Sequence, residues 1–503
     1  MTRRSFRCIE GWRVAALATV LVAIGALRPH PLSPSPIAPP STGRGGTTTQ
    51  ALEDSGRRLY REGLLSSGAL LRGALPDGAF VEGVAASCSA CHRRSGFGGV
   101  EGTVYIPPVT GPALFAPASP DRNVLFRRLF EEKLDLASRT RLLAARDRPA
   151  YTPETLAVAL SEGHDPAGRA FAAPMPRYRL GAEDLEGLTA YLRTLAAAPS
   201  PGVEDDEIHF ATVLTPGADR ERGRAVLDVA EAWVRRKNAD LDRRRQRPGA
   251  VGPTDEDLRF AERHWVLHVW EPQGPPETWT AQLAAWNAER PVFAVLGGLS
   301  GPDEPWAPVH AFCESAEVPC LFPETDLPVT TSTGAMTFYF SGGRVQEAEA
   351  LARYLRETGG GERLFLSSTL LGEPPPEIPA AWRNRTLLLH RRALPGLETP
   401  QAFRIRAWLR ARGIAPRHEP LQLDAYFTWS LAEEAVLQLA GHFSRDLFVE
   451  NVERETERLP DPGVWPPLVL APGRRIASRG TILLRPDPAA PGGWAPASGW
   501  IVP

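Results

Sequence analysis

Between Ser55 and Leu65, Gly56 and Tyr60 fall four residues apart, and that spacing predicts a helix with both on one face. Far along the same region, Leu185, Leu188, Leu192 and Leu195 recur at helical spacing across Glu183–Leu195, with Tyr191 beside the stripe. A glycine on a helix face admits another backbone, so the two helices are expected to cross at Gly56. Thr152 as N-cap, Pro153 at the first helical position and Gly163 as stop predict another helix between them. From about residue 201 the pattern changes. Short apolar runs at Ile208–Leu214, Trp265–Glu271, Val292–Gly298, Cys320–Phe322, Phe338–Ser341, Arg363–Ser367 and Thr386–His390 alternate with amphipathic segments at Asp219–Lys237, Glu277–Glu289, Pro305–Ala316 and Val345–Glu357. That alternation predicts parallel sheets covered on both faces. The charged stretch Arg235–Asp257 is expected as an exposed loop, and Tyr426–Leu439 as a long helix before Ser444, an N-cap.

Two patterns in 503 residues imply two folded domains: residues 51–200, all-α, and residues 201–503, α/β. Ahead of them, residues 1–27 carry Arg3, Arg4, Arg7 and Arg13 and then an apolar run from Val14 to Leu27. At 1.5 Å per residue that run reaches about 21 Å against roughly 30 Å of hydrocarbon, which favours a cleaved export signal over a signal anchor. Residues 28–50, rich in Pro, Ser and Thr, read as a flexible linker. The expected location is the periplasm, with membrane contact only through the N-terminal segment if uncleaved. The balance of 57 basic and 59 acidic residues gives a formal net charge of −2, which offers no footprint for nucleic acid. Small molecules and proteins remain as partners.

The chemistry concentrates at Cys88-Ser89-Ala90-Cys91-His92. Cys-x-x-Cys also serves thioredoxin-like redox sites and half of a zinc site, but neither needs the adjacent histidine. The other cysteine pair, Cys313 and Cys320, is more than two hundred residues away. The motif therefore points to one covalently attached haem c, with Cys88 and Cys91 as attachment points and His92 as axial ligand. Met175, one of only 3 methionines, sits between Pro174 and Pro176 in a polar loop and is the expected second axial ligand; His164 competes with it. Phe97, Ile106, Leu114, Phe115 and Phe171 are candidates to wall the haem, and Arg177, Tyr178 and Arg179 to meet its propionates. Residues 119–150, charged and Arg-rich, are expected as a solvated helix pair. Cys313 late in a helix and Cys320 opening a strand are close enough in sequence to form a disulfide in an oxidising compartment.

With Gly111-Pro112-Ala113-Leu114 and the late methionine, the first domain resembles class I cytochromes c over about 150 residues. The resemblance implies that the Pro112 carbonyl accepts a hydrogen bond from the His92 ring. The second domain, through Phe293-Ala294-Val295-Leu296-Gly297-Gly298-Leu299-Ser300 and Glu317-Val318-Pro319-Cys320-Leu321-Phe322-Pro323, resembles type I periplasmic solute-binding proteins of the branched-chain amino-acid class. It implies a two-lobed fold with a ligand cleft at Ser300 and Gly301, and more weakly at Thr325 and Tyr339. Together they imply a periplasmic electron carrier whose second domain docks a redox partner, such as a dehydrogenase or another cytochrome, or senses a small solute. The alternative is an ABC-transporter-type receptor with an appended haem module. No Gly-x-Ser-x-Gly, His-Glu-x-x-His or phosphate-binding loop is present, and iron with both axial positions filled leaves no place for a substrate, so no enzyme is expected.

Overall fold

The helix marked by Gly56 and Tyr60 is α1 (Thr47–Glu62). It begins inside the segment expected as linker, because its polar first turn carries no apolar stripe for a sequence reading to find. The computed structural model describes residues 47–101, 104–118, 147–171, 175–246, 262–331, 334–359, 361–371, 378–393, 399–460 and 462–502. The export segment, Pro174 and most of 119–150 lie outside the described residues. After α1 come β1 (Arg72–Ala74), β2 (Phe80–Glu82), α2 (Cys88–His92), β3 (Gly99–Glu101), β4 (Val104–Ile106), α3 (Gly111–Leu114), α4 (Pro153–Ser161), β5 (Arg177–Tyr178) and α5 (Ala182–Thr194).

α1 and α5 cross where expected: a Cβ on Gly56 would stand 2.0 Å from the Gly187 carbonyl oxygen. The Tyr60 and Tyr191 rings meet beside the crossing at 5.4 Å between centroids. Leu59, Tyr60, Leu114, Leu156, Leu188 and Leu192 bury one core between these helices and α4. α4 starts from Thr152, whose side chain accepts from the Thr155 amide in a capping box. β1 is the centre of a small antiparallel sheet, β2-β1-β5, added to the helical core.

The α/β unit follows as β6 (Glu207–Val213), α6 (Arg220–Arg245), β7 (His264–Trp270), α7 (Trp279–Glu289), β8 (Ala294–Leu296), α8 (Ala307–Ser315), β9 (Cys320–Leu321), β10 (Thr337–Ser341), α9 (Gly343–Thr358), β11 (Leu364–Ser367), β12 (Thr386–His390), α10 (Pro400–Arg410), α11 (Glu419–Leu437), α12 (Arg445–Glu455), β13 (Ile476–Ser478), β14 (Ile482–Pro486) and β15 (Trp494–Pro496). Its first lobe is a six-stranded parallel sheet in the order β13-β10-β9-β8-β6-β7. Apolar clusters cover both faces: Phe210, Phe338, Phe427, Trp429 and Phe448 on one, Val213, Val295, Trp306 and Phe312 on the other. The second lobe's sheet, β11-β12-β14-β15, is parallel only between β11 and β12 and antiparallel beyond, so the expectation of parallel sheets holds for the first lobe alone. α6 runs on to Arg245, through residues expected as loop. Its charged end is held by i,i+4 pairing of Arg236 with Asp240 and by Arg236 and Lys237 on Glu433.

Thr49–Pro503 make one compact unit, and the two domains meet through opposite charges. Arg61 reaches Glu317 and Asp446, each at 2.7 Å, and Arg94 reaches Asp446 at 3.1 Å. Ser95 gives both its amide (2.9 Å) and its hydroxyl (2.7 Å) to the Glu450 carboxylate. Phe97, a candidate for the haem wall, instead packs on the His442 ring at 5.0 Å. Its position five residues past His92 puts it on the domain interface.

Candidate functional site

α2 is a single turn that carries the whole Cys88–His92 motif. The chain leaves it through Arg93 at φ +65°, a strained conformation for a residue with a side chain. Two hydrogen bonds hold that exit: the buried Tyr60 hydroxyl donates to the Arg93 carbonyl at 2.8 Å, and the Gly98 amide to the His92 carbonyl at 3.0 Å. At the other end, Ser89 Oγ donates to the Arg61 carbonyl of α1 at 3.1 Å. The motif is thereby fixed against the helix that crosses α5.

His92 is buried, and its Nδ1 lies 2.8 Å from the carbonyl oxygen of Pro107, just past β4. A carbonyl only accepts, so Nδ1 carries the proton and Nε2 is left with its lone pair, the form an iron ligand needs. Burial lowers the His92 pKa, against the opposing effect of the Pro107 carbonyl, and keeps the ring neutral. The expected partner was Pro112. That residue sits inside the first turn of α3, capped by Thr110, where backbone carbonyls point along the helix axis. Pro107 follows the β3–β4 hairpin, which turns its carbonyl back to the ring.

Cys88 and Cys91 are half-buried and not joined in a disulfide, and burial pushes Cys88 up to about 12. Cys88 and Met175 pack on the same apolar cluster as Leu59, Tyr60 and Leu114, with Phe115 and Phe171 beside them. β5 delivers Met175 there. Two residues beyond it, Arg177 donates to the Met175 carbonyl at 2.6 Å; Tyr178 pairs with Gly73 of β1 and donates its hydroxyl to the Ala86 carbonyl at 2.9 Å, two residues before Cys88. Arg177 and Tyr178, candidate propionate partners, are thus engaged in holding the methionine loop to the cysteine motif. Two thiols on one helical turn, a neutral imidazole with a free Nε2 at the end of that turn and a thioether on the same apolar cluster as Cys88 form a donor set that fits a covalently attached haem.

In the α/β unit, Ser300, Gly301 and Thr325 come together beyond the ends of β8 and β9, with Ser300 Oγ donating to Thr325 Oγ1 at 3.0 Å. Tyr339 does not join them. Its side chain is buried in the first lobe's core, 3.0 Å from His310 Nδ1, because its place in β10 points it at α8. The Gly301 amide, expected to face a ligand carboxylate, already donates to one: Glu304 Oε2 lies 3.0 Å away. The Gly217 amide donates to Glu304 Oε1 at 2.9 Å, and the Thr215 hydroxyl donates to Oε2. Glu304 supplies an internal anion to the loop ends of β6 and β8, and no sequence pattern pointed to it.

The lobes are joined by another group the sequence did not reveal. Arg391 and Arg392, directly after β12, cross to the first lobe: Arg391 bonds Asp326 at 3.0 Å and Ser341 Oγ at 2.7 Å, and Arg392 bonds Glu324 at 3.1 Å and Asp424 at 2.5 Å. Burial holds Asp424 well above the usual carboxylate range, against Arg392. The expected Cys313–Cys320 bridge is not formed. Both are buried free thiols in the apolar cluster between α8 and β9, and burial raises the Cys313 pKa.

Residues 82–196 match the family model described as Cytochrome c, and that family implies covalently bound haem c. No curated protein matches the chain. Among solved structures, a fatty acid ABC transporter substrate-binding protein from Thermomonospora curvata is similar at 12% identity, over 61% of this chain and 95% of that one, with a TM-score of 0.42. A branched chain amino acid ABC transporter from Thermus thermophilus with bound valine gives 10% identity, 59% and 97% coverage and a TM-score of 0.41. A possible leucine/isoleucine/valine-binding protein from Rhodopirellula baltica SH 1 gives 12%, 59%, 98% and 0.40. A cytochrome c domain is here fused to a two-lobed α/β unit. Among the described residues, no helix is long and apolar enough to cross a membrane.

Proposed function

We propose that the protein is a periplasmic mono-haem c-type cytochrome that transfers electrons, with the α/β unit as the platform on which a redox partner, such as a dehydrogenase or another cytochrome, docks. In this reading residues 1–27 export the chain, 28–50 tether it, 51–200 carry the haem and 201–503 form the platform. The Cys88 and Cys91 thiols would bind the group as thioethers, His92 Nε2 and the Met175 sulfur would hold its iron, and the Pro107 carbonyl fixes the His92 tautomer. A haem c held there supplies a one-electron iron couple at a potential raised by the thioether. Leu59, Leu114, Phe115 and Phe171 keep water from that position, and the Ser95–Glu450 and Arg61–Asp446 contacts hold the platform at a fixed place beside it. With His92 and Met175 both on the iron, no position would be left for a substrate, so the reading assigns the protein electron transfer rather than catalysis.

The observation that carries the reading is the neutral His92 ring, held by Pro107 with Nε2 free, in a domain whose core also takes up Met175. The receptor alternative draws on the gathering of Ser300, Gly301 and Thr325, but Glu304 occupies the donors that a carboxylate solute would use. The test is direct. Reduced full-length protein should resist carbon monoxide and exchange electrons with a small reversible mediator without any added solute. Rapid carbon monoxide binding by the intact protein would sink the carrier reading, and a saturable thermal shift with amino acids would favour the receptor.

A further inference from the structure

Just before β6, the chain that joins the two domains makes a tight turn: the Glu204 amide donates to the Glu207 carbonyl at 2.8 Å, Val203 bridges Ile208, and the His209 amide donates to the Gly202 carbonyl at 2.8 Å. Glu207 and His209 are two residues apart on a strand and share a face. The turn brings Glu204 to the same place. His209 is 2% exposed, and its Nε2 is buried without a hydrogen bond. Glu204 Oε1 stands 3.4 Å and Glu207 Oε2 3.5 Å from that nitrogen, and the three ligand atoms lie within 4.8 Å of one another.

The other ring nitrogen has a partner of its own. His209 Nδ1 lies 3.0 Å from Nε2 of His268 on β7, with the two rings stacked. A cation bound at Nε2 puts the remaining ring proton of His209 on Nδ1, where Nε2 of His268 is placed to accept it. The spacing also suits one. Ligands at about 2.1 Å from a tetrahedral centre are separated by about 3.4 Å.

We infer that Glu204, Glu207 and His209 form a binding site for one divalent transition-metal cation of the zinc class, with His268 orienting His209. An imidazole beside two carboxylates favours that class over calcium or magnesium, which take oxygen ligands. The two glutamates are exposed on their outer sides, leaving a fourth position to water. The bound ion would staple the interdomain turn to the first strand of the sheet, so occupancy stabilises the folded chain.

The test uses the full-length, haem-loaded protein, in which Cys88, Cys91 and His92 are already committed. After stripping with a chelator, zinc chloride is titrated against a chromophoric zinc indicator, and melting is followed with and without zinc. One equivalent bound, a raised melting temperature and no displacement by excess magnesium are expected. Glu204→Gln with Glu207→Gln should weaken binding at least 100-fold and abolish the zinc-dependent shift, and His268→Gln should weaken it 10- to 100-fold. The haem absorbance of each variant verifies that it is folded. Absence of zinc uptake, or an unchanged affinity in the double glutamine variant, would overturn the assignment and leave His209 as an N–H donor to the two glutamates.

Discussion

The His92 ring gives its Nδ1 proton to the carbonyl of Pro107, 2.8 Å away. That one bond fixes which nitrogen is free for iron and makes the ring a stronger donor. In the proposed ligation by His92 and Met175, the methionine would set the potential. Met175→Ala is expected to lower the midpoint potential by on the order of 0.1 V, within the roughly 0.8 V span that axial ligands command. It should also let the reduced protein bind carbon monoxide. Potentiometry and a carbon monoxide difference spectrum read both; an unchanged potential would return the role to His164.

Gly56 offers no room for a side chain, since a Cβ there would meet Gly187 backbone at 2.0 and 2.4 Å. Neither helix is able to yield without moving the core. Gly56→Ala should therefore destabilise the cytochrome domain by about 3 kcal/mol or more, measured by denaturant unfolding followed through haem absorbance. A change below about 0.5 kcal/mol would mean that the helices separate at no cost.

Arg61 and Asp446 join the domains with side chains that are mostly covered, and Arg61 also holds Glu317 and the Tyr191 hydroxyl. Removing one partner leaves the other charge poorly solvated. Arg61→Ala should cost about 3 kcal/mol, and a double-mutant cycle with Asp446→Ala should give a coupling above about 1 kcal/mol. A coupling near zero would mark the contact as a solvated surface pair.

Glu450, on the same interface, is pushed up to about 7 by burial, against the two hydrogen bonds from Ser95. A carboxyl whose folded pKa lies above its unfolded value favours folding while protonated. That contribution is complete below about pH 4.5 and is lost as pH rises through about 7. Glu450→Gln should remove this part of the pH dependence and stabilise the protein at pH 8 relative to wild type, by up to about 3 kcal/mol. Melting curves from pH 5 to 8 decide it; parallel profiles for the two proteins would refute the shift.

Glu304 accepts from Thr215, Gly217 and Gly301 at once. Glu304→Ala strands three donors and should destabilise the α/β unit by about 2 kcal/mol. Acetate should then restore stability in a saturable way in the variant and leave wild type unchanged. Equal responses of the two proteins would mean that the loop ends hold no anion site.

What the sequence determined by itself rests on local chemistry. Cys-x-x-Cys-His points to its group because two attachment thiols and one iron ligand lie within one helical turn, and Gly56 with Tyr60 marks a helix face because spacing alone puts them on one side. The alternation of apolar runs foretold the first lobe's parallel sheet, since strands buried on both faces are apolar throughout. Tertiary structure decided whatever depends on residues distant in the chain. Pro107 rather than Pro112 meets His92 because a hairpin turns it there, and Tyr339 enters the core because β10 lies against α8. α6 outlasts its apolar stripe because Glu433, nearly two hundred residues on, takes up its charges. Glu304 fills the anion site from a loop far along the chain from Thr215 and Gly217, and His268 meets His209 because β7 pairs with β6. Such contacts depend on where the backbone carries a side chain, which the packing of the whole chain sets.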